Sequence, residues 1–313
     1  MNKLIIYSFS TMIEKVKSTR ETGWQFKIKN YKIAVDIFKL SKIDITSIED
    51  AKTLLVSNGM KNPKSLLTKI DEIISTGQLE EAKDAAENPE VIAMRELTSV
   101  PEIGPSAAKK LYNSGYKSVE DLRKNPDILN RKQKIGLKHY DDLKQRIPRA
   151  EMIAIEKYLL ESAKSCGFKE AGGTLEITGS YRRGAEDSGD IDCLISHVDN
   201  KWLKTFTEYL TNEGFLVDSF AHGVAKFLGI CKLPGAEYNR HIDILYSSPS
   251  EFPFAVLYFT GSKDFNVVMR QLALNNGYTL SEHGLGLNTE TKIKTEKDIF
   301  DYLGMTYVEP TAR

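Results

Sequence analysis

Little in this chain points to a membrane, a disulfide scaffold or a zinc site. No apolar run in the sequence approaches the roughly 20 residues that a spanning helix needs, and the early LIIYSF is too short and poorly flanked for a signal peptide. The three cysteines, Cys166, Cys193 and Cys231, stand far apart with no CxxC spacing, too few to cage zinc alone. They read as reduced thiols of a soluble, intracellular protein. Repeats and low-complexity tracts are missing as well. What is present, 313 residues with 41% hydrophobic and 27% charged, is the composition of a globular chain too long for one small core.

A net charge of zero speaks against nucleic acid only on average. Residues 1–70 hold 13 Lys and Arg against six Asp and Glu, whereas residues 71–90 hold seven acids against Lys83 alone. A basic lobe, an electrostatic footprint for polyanions, is masked by an acidic connector.

Up to about residue 150 the pattern is helical. NYKIAVDIFKL, SIEDAKTLLVSNG and PKSLLTKIDEIISTGQLEEA repeat apolar residues every three or four positions, and Ser118 with Asp121 resembles a capping box. Beyond the helical RAEMIAIEKYLLESAKSCGF the character changes. GTLEITGS, DIDCLIS, VAKFLGICKL and RHIDILYS are short β-rich runs, interrupted by a helical KWLKTFTEYLTNEGF. The expected layout is α+β, a mostly antiparallel sheet with helices on one side and a small mixed α/β tail.

The sharpest feature is GSYRRGAEDSGDIDCLIS. Asp190 and Asp192, two apart on a strand, share a face and repel unless a cation joins them. In RHIDIL, Ile242 and Ile244 turn to the core and Asp243 turns the other way, beside His241 and Leu245. Pairing of the two strands would gather three carboxylates, a donor set suited to a hard cation, Mg²⁺ above all. Ahead of them, Gly179, Ser180, Arg182, Arg183, Ser188 and Gly189 offer backbone N–H groups, hydroxyls and guanidinium forks to phosphate oxygens. In the helical half, Ile103-Gly104-Pro105 turns tightly before a helix starting near Ser106. Such a turn grips a phosphate and reads no base.

Gly-Ser, a spacer and Asp-x-Asp resemble the nucleotidyltransferase superfamily. GSYRRGAEDSGDID, RHIDI, LYFTGS and FNVVMR together resemble the polymerase beta-like members of family X DNA polymerases, from about residue 90 to the carboxyl end and more thinly before. The resemblance implies a multidomain α and α+β protein. Residues 1–88 would be a helical 5′-deoxyribose-phosphate lyase-like domain and 89–148 a helix–hairpin–helix thumb. Residues 149–249 would be a nucleotidyltransferase palm with a mixed sheet, and 250–313 a small α/β nucleotide-selecting fingers subdomain. It implies Asp190, Asp192 and Asp243 as ligands of two Mg²⁺ ions, with Mn²⁺ able to substitute, and Asp243 as the group promoting deprotonation of a primer 3′-hydroxyl. Arg149, Ser180, Arg183, Ser188 and Gly189 would hold a dNTP triphosphate. Tyr258, Phe259 and Gly261 would contact its sugar, Lys263 would lie near its base, and Asn266 and Arg270 would read the minor-groove side.

It further implies a Na⁺ or K⁺ ion held by the carbonyls of Thr98, Val100 and Ile103, and DNA contacts from Gly104, Ser106, Lys226, Phe26, Lys27 and Tyr31. Lys69 aligns with a Schiff-base lysine. It shares a helix stripe with Leu66, Ile70 and Ile73, and partial desolvation there would leave its amine free to attack an abasic-sugar aldehyde.

Several positions depart from the family pattern. Glu102 replaces a hairpin glycine, NGMKNPKS lacks the first hairpin's glycine-x-glycine, and Ser65, Glu80 and Glu81 replace basic residues, so the lobe is expected to grip a 5′-end less tightly. His241, Leu245, Lys263 and His283 differ around the catalytic centre, which predicts more frequent misinsertion and, through His241, a pH step near neutrality.

The expected function is gap-filling repair synthesis with 5′-end trimming on gapped or nicked duplex DNA, by a monomer. Its setting would be the nucleus of a cell, or a replication site or virion of a virus. The rivals are a terminal transferase, disfavoured because no long insertion precedes RHIDIL, and an inert gap-binding module. No 3′–5′ exonuclease carboxylate set and no extra protein-binding domain ahead of the first lobe are expected.

Overall fold

Helix starts in the amino-terminal half are set by short polar side chains that close free backbone N–H groups. Ser47 accepts from the Asp50 N–H while Asp50 accepts in return, and Ser118 with Asp121 repeats the arrangement. Each such cap is worth about 1 kcal/mol. The computed structural model describes residues 1–20, 22–286 and 293–313, and the chain divides into two units, Met1–Leu137 and Lys138–Arg313.

The first unit is helical among its described residues. The helices Asn2–Thr19, Trp24–Leu40, Ile48–Ser57 and Lys64–Thr76 turn Phe9, Met12, Phe38, Leu55, Ile70 and Ile73 into one core. The period of 3.6 places Leu66, Ile70 and Ile73 on a single buried stripe. Glu80–Glu87, Pro89–Thr98 and Pro105–Asn113 follow.

The second unit carries seven strands among its described residues: β1 (Ile147–Pro148), β2 (Thr174–Ile177), β3 (Asp187–Ser188), β4 (Ile191–Ser196), β5 (Leu216–His222), β6 (Lys226–Cys231) and β7 (Arg240–Ser247). The short β1 and β3 pair with each other, and the rest form one sheet in the order β2-β4-β7-β6-β5. Only β4 and β7 run parallel; every other neighbour is antiparallel. One face buries Ile191, Cys193, Ile195, Ile242 and Ile244 beneath Met152, Ile155 and Leu159 of the helix Arg149–Ser165 and Phe206 and Leu210 of the helix Lys201–Asn212. Full burial of a phenylalanine such as Phe206 contributes about 2–3 kcal/mol. Alternation turns Asp192, Leu194, Asp243 and Leu245 to the opposite face. There Leu194 packs on Ala255 and Val256 of the helix Phe252–Thr260.

Sequence pattern missed β5. Its pairing with β6 shifts register twice, between Leu216 and Asp218 and again between Ser219 and Ala221, so no clean period of two survives. The mixed α/β tail expected after residue 250 is helical where it is described, with Lys263–Asn275 and Glu296–Tyr302. The β component amounts to a narrow turn held by Thr279 N–H to Leu285 O and Ser281 N–H to Gly284 O. Among the described residues no helix is long and apolar enough to cross a membrane.

Candidate active site

β4 and β7 lie side by side with Asp192 directly opposite Asp243. The parallel register places Ile191 against Ile242 and Cys193 against Ile244, so packing of the apolar set underneath fixes the acids above. A slip of one residue would send both carboxylates into the core. Asp190 precedes β4 and is exposed, whereas Asp192 and Asp243 are half-buried.

Burial is the first cause raising Asp192, to about 7. The charges of Asp190 and Asp243 add to it and Arg183 opposes it. Burial also raises Asp243, against the pull of His241 and Lys226. Asp243 Oδ1 is buried without a hydrogen-bond partner, and His241 Nε2 stands 3.6 Å away. The His241 ring rests 5.8 Å from that of Phe220. Lys226 lies on β6 opposite Leu245, on the carboxylate face.

The Gly-Ser loop closes on this pair. Thr178 donates from its N–H, at 2.8 Å, and from its hydroxyl to the Asp192 carbonyl, tying the loop to β4. Gly179 has φ 61°, and a Cβ there would lie 2.0 Å from Asp192 Oδ2, so only glycine lets backbone and carboxylate approach so closely. Ser180 donates to Ser188 Oγ at 2.9 Å. Arg183 donates to the Thr260 carbonyl at 2.6 Å, next to Gly261. Arg149 is turned inward: it donates to the carbonyls of Tyr181 and Ala185 and lies over the Tyr181 ring. These bonds brace the loop that is expected to hold the triphosphate. Gly189 lies against Arg146, leaving 2.9 Å between a built Cβ and Nη1.

Sequence reasoning saw the two arginines but missed what they hold. Arg182 reaches Glu176, the Thr260 hydroxyl and, at 2.5 Å, Glu296. Glu296 in turn receives Arg313, whose guanidinium sits over Phe265, Phe300 and Tyr307. A separate brace joins Arg240, at the start of β7, to both oxygens of Glu151 at 2.7 Å. No local pattern announces partners this distant in sequence; only the charge of the residues hints at them. Beyond the sheet, Asn266 donates to the Tyr258 carbonyl, Arg270 covers the Tyr258 ring and Phe259 meets Tyr258 edge-on. Lys263 is exposed at the start of its helix, and His283 pairs with Glu251 at 3.1 Å.

A hard divalent ion fits the chemistry of the donors: oxygen ligands only, two carboxylates in register, a third flanking them, and a buried carboxylate oxygen that lacks any donor. Among the described residues no three His, Cys, Asp or Glu side chains are already gathered at ligand spacing, so the fit rests on donor type and on the uncompensated charge.

In the first unit, Glu102 in the turn after Thr98 takes φ 65° in the left-handed region, a strain of about 1–2 kcal/mol for a non-glycine residue. Thr98, Ile103 and Gly104 line one hollow with Lys17 and Arg95. The Val100 carbonyl accepts from Ile103 N–H, and Ser106 accepts from Arg20 at 3.0 Å. Lys27, Tyr31, Ser65 and Lys69 line a second hollow; Phe26 lies outside it, 73% exposed. The apolar surroundings expected for Lys69 are only half of its environment, because Glu81 forms a salt bridge with it.

Three family models match the chain in order: the fingers domain of DNA polymerase lambda over residues 95–144, the DNA polymerase beta palm over 146–249 and the DNA polymerase beta thumb over 255–313. These models give the names fingers and thumb to the opposite segments from the reading above. The chain is 32% identical to DNA polymerase lambda of Rattus norvegicus over 95% of its own length and 54% of that protein. It is 30% identical to DNA polymerase lambda of Arabidopsis thaliana over 100% and 62%. It is also 26% identical to the DNA-directed DNA/RNA polymerase mu of Homo sapiens over 78% and 57%. It thus spans between half and two thirds of these relatives. With a palm match enclosing the facing acids and the two flanking matches in order, the chain belongs to the beta- and lambda-like group of family X DNA polymerases.

Proposed function

We propose that this chain is a template-directed DNA polymerase of the base excision repair type, filling short gaps in duplex DNA by nucleotidyl transfer from a dNTP. The observation that carries this reading is the in-register facing of Asp192 and Asp243, beside a glycine that lets the phosphate loop touch the carboxylate. In the reaction the 3′-oxygen attacks the α-phosphorus, the bond to the bridging oxygen breaks, and pyrophosphate leaves. Asp243, facing Asp192 across the two strands, promotes deprotonation of the hydroxyl. Asp190, Asp192 and Asp243 would hold two divalent ions, Mg²⁺ with Mn²⁺ as substitute, which when bound supply Lewis-acid charge to the attacking and leaving oxygens.

Arg149, Ser180, Arg183, Ser188 and Gly189 orient the triphosphate, and Arg149 also braces their loop through the carbonyls of Tyr181 and Ala185. Tyr258, Phe259 and Gly261 bound the sugar, and Asn266 and Arg270 face the nascent pair. The hairpin around Gly104 and Ser106, with Lys226, positions the duplex without reading sequence, aided by a monovalent cation on the carbonyls of Thr98, Val100 and Ile103. The segments 1–88, 89–148, 149–249 and 250–313 serve as lyase-like, duplex-gripping, catalytic and nucleotide-selecting parts. The enzyme acts as a monomer wherever gapped DNA arises, in a nucleus or at a viral replication site. The decisive test is extension of a one-nucleotide gap with and without template. Template-dependent synthesis lost in Asp192→Asn supports the proposal, and untemplated synthesis favours the terminal transferase.

A second activity is favoured by the hollow that gathers Lys27, Tyr31 and Lys69. Lys69 would form a Schiff base with a 5′-deoxyribose phosphate and release it by elimination. Borohydride should trap the chain on a nicked abasic duplex and fail to trap Lys69→Ala.

A further inference from the structure

The hollow around Lys69, about 270 Å³, holds its own counter-ion. Lys15, Lys27 and Lys69 line it from three different helices. Glu81, in the first turn of the helix Glu80–Glu87, reaches in among them. Its Oε1 accepts from Lys15 Nζ at 3.0 Å and its Oε2 from Lys69 Nζ. Burial raises the Glu81 carboxyl, but the two lysines outweigh it and leave it below the usual carboxylate range, so it is an anion at neutral pH. Tyr31, on the same wall, is pushed up to about 12 by burial and by the charge of Glu81; it stays a neutral hydroxyl and contributes no charge. The bridge is reversible in construction. Glu81 is 40% exposed and is held there by its bonds to the two lysines, so it has solvent beside it to move into.

We infer that Glu81 is a built-in competitor for the anionic 5′-end: it bridges Lys15 and Lys69 until a 5′-phosphate replaces it, and so sets how tightly this lobe holds that phosphate. A carboxylate and a phosphate cannot share the same ammonium pair without mutual repulsion, so binding includes the work of expelling Glu81. The inference rests on the lyase reading only for the identity of the occupant, a 5′-phosphate on DNA. It also gives a physical form to the weak grip expected from the acid at this position, which acts by occupying the basic groups as well as by replacing one.

The test compares the full chain with Glu81→Gln and Glu81→Ala on a one-nucleotide gapped duplex carrying either a 5′-phosphate or a 5′-hydroxyl downstream. The readout is the ratio of the two dissociation constants. In both variants the preference for phosphate should rise about tenfold at low salt, with a salt slope for the phosphorylated duplex steeper by about one. An unchanged or reduced preference in both variants overturns the inference. Borohydride trapping on a nicked abasic duplex, run in parallel, separates it from the lyase reading. A raised preference with no trapping in any form sinks the lyase activity and leaves the competitor role standing. Trapping lost in Glu81→Gln with the preference unchanged makes Glu81 a proton carrier and overturns it.

Discussion

Replacing Gly179 by alanine tests the site at its narrowest point. The added Cβ would lie 2.0 Å from Asp192 Oδ2, where a carbon–oxygen contact needs about 3.3–3.6 Å. The loop cannot retreat, because Thr178 is tied by its N–H and its hydroxyl to the carbonyl of Asp192 itself. The carboxylate must therefore swing aside by more than about 1 Å, and a misplacement of that size costs about 10²-fold in rate. Alanine at φ 61° adds roughly 1–2 kcal/mol of backbone strain, a fall of a few degrees in thermal midpoint for a chain of this size. Single-turnover gap filling should drop about 100-fold with duplex affinity unchanged. A folded variant that fills gaps within about threefold of the parent rate, less than 1 kcal/mol in the barrier, would refute the reasoning.

Four further outcomes follow. Mg²⁺ at 100 times its dissociation constant should raise stability by about 2.7 kcal/mol, read as a shift in thermal midpoint, and Asp192→Asn or Asp243→Asn should abolish that shift. Glu296→Gln, which leaves the guanidiniums of Arg182 and Arg313 without their shared carboxylate, should destabilise the second unit by about 3 kcal/mol in denaturant melts. Glu102→Gly relieves a left-handed φ of 65° and should gain about 0.5–1 kcal/mol after glycine's own entropic penalty. Burial raises the Asp218 carboxyl, but hydrogen bonds from His139 and Lys138 outweigh it and hold it below the usual range. Its contribution to stability is therefore full above about pH 4 and lost as pH falls through the folded value. Asp218→Asn should lower the midpoint at pH 7 and flatten the acid limb of a pH–stability profile.

The parts of the site that were legible in the sequence obey short-range rules. Asp192 and Asp243 could be placed because each sits between core residues, Ile191 and Cys193 or Ile242 and Ile244, on a strand of period two. Lys69 could be placed because Leu66, Ile70 and Ile73 mark the buried stripe of its helix. Residues defined by a distant partner could not. Nothing near Arg182 names Glu296, and nothing near Arg313 foretells the ring of Phe265, Phe300 and Tyr307 around it. The bonds of Arg149 to the carbonyls of Tyr181 and Ala185 were not legible either, because their partners lie more than thirty residues away. Glu81 was read only as a lost positive charge, because its bridge joins Lys15 and Lys69 from two other helices. β5 escaped because its two register shifts break the alternation that reveals a strand.

The strand that supplies Asp243 is the last of the sheet in chain order, yet it lies between β4 and β6. A nascent chain that stops short of Arg240 therefore carries two half-sheets, each with an open hydrogen-bonding edge. Inserting the final strand seals both edges and sets Asp243 beside Asp192 in one event, so the facing of the two carboxylates and protection from edge-to-edge association arrive together. Fragments cut just before that strand should be sticky as well as inert.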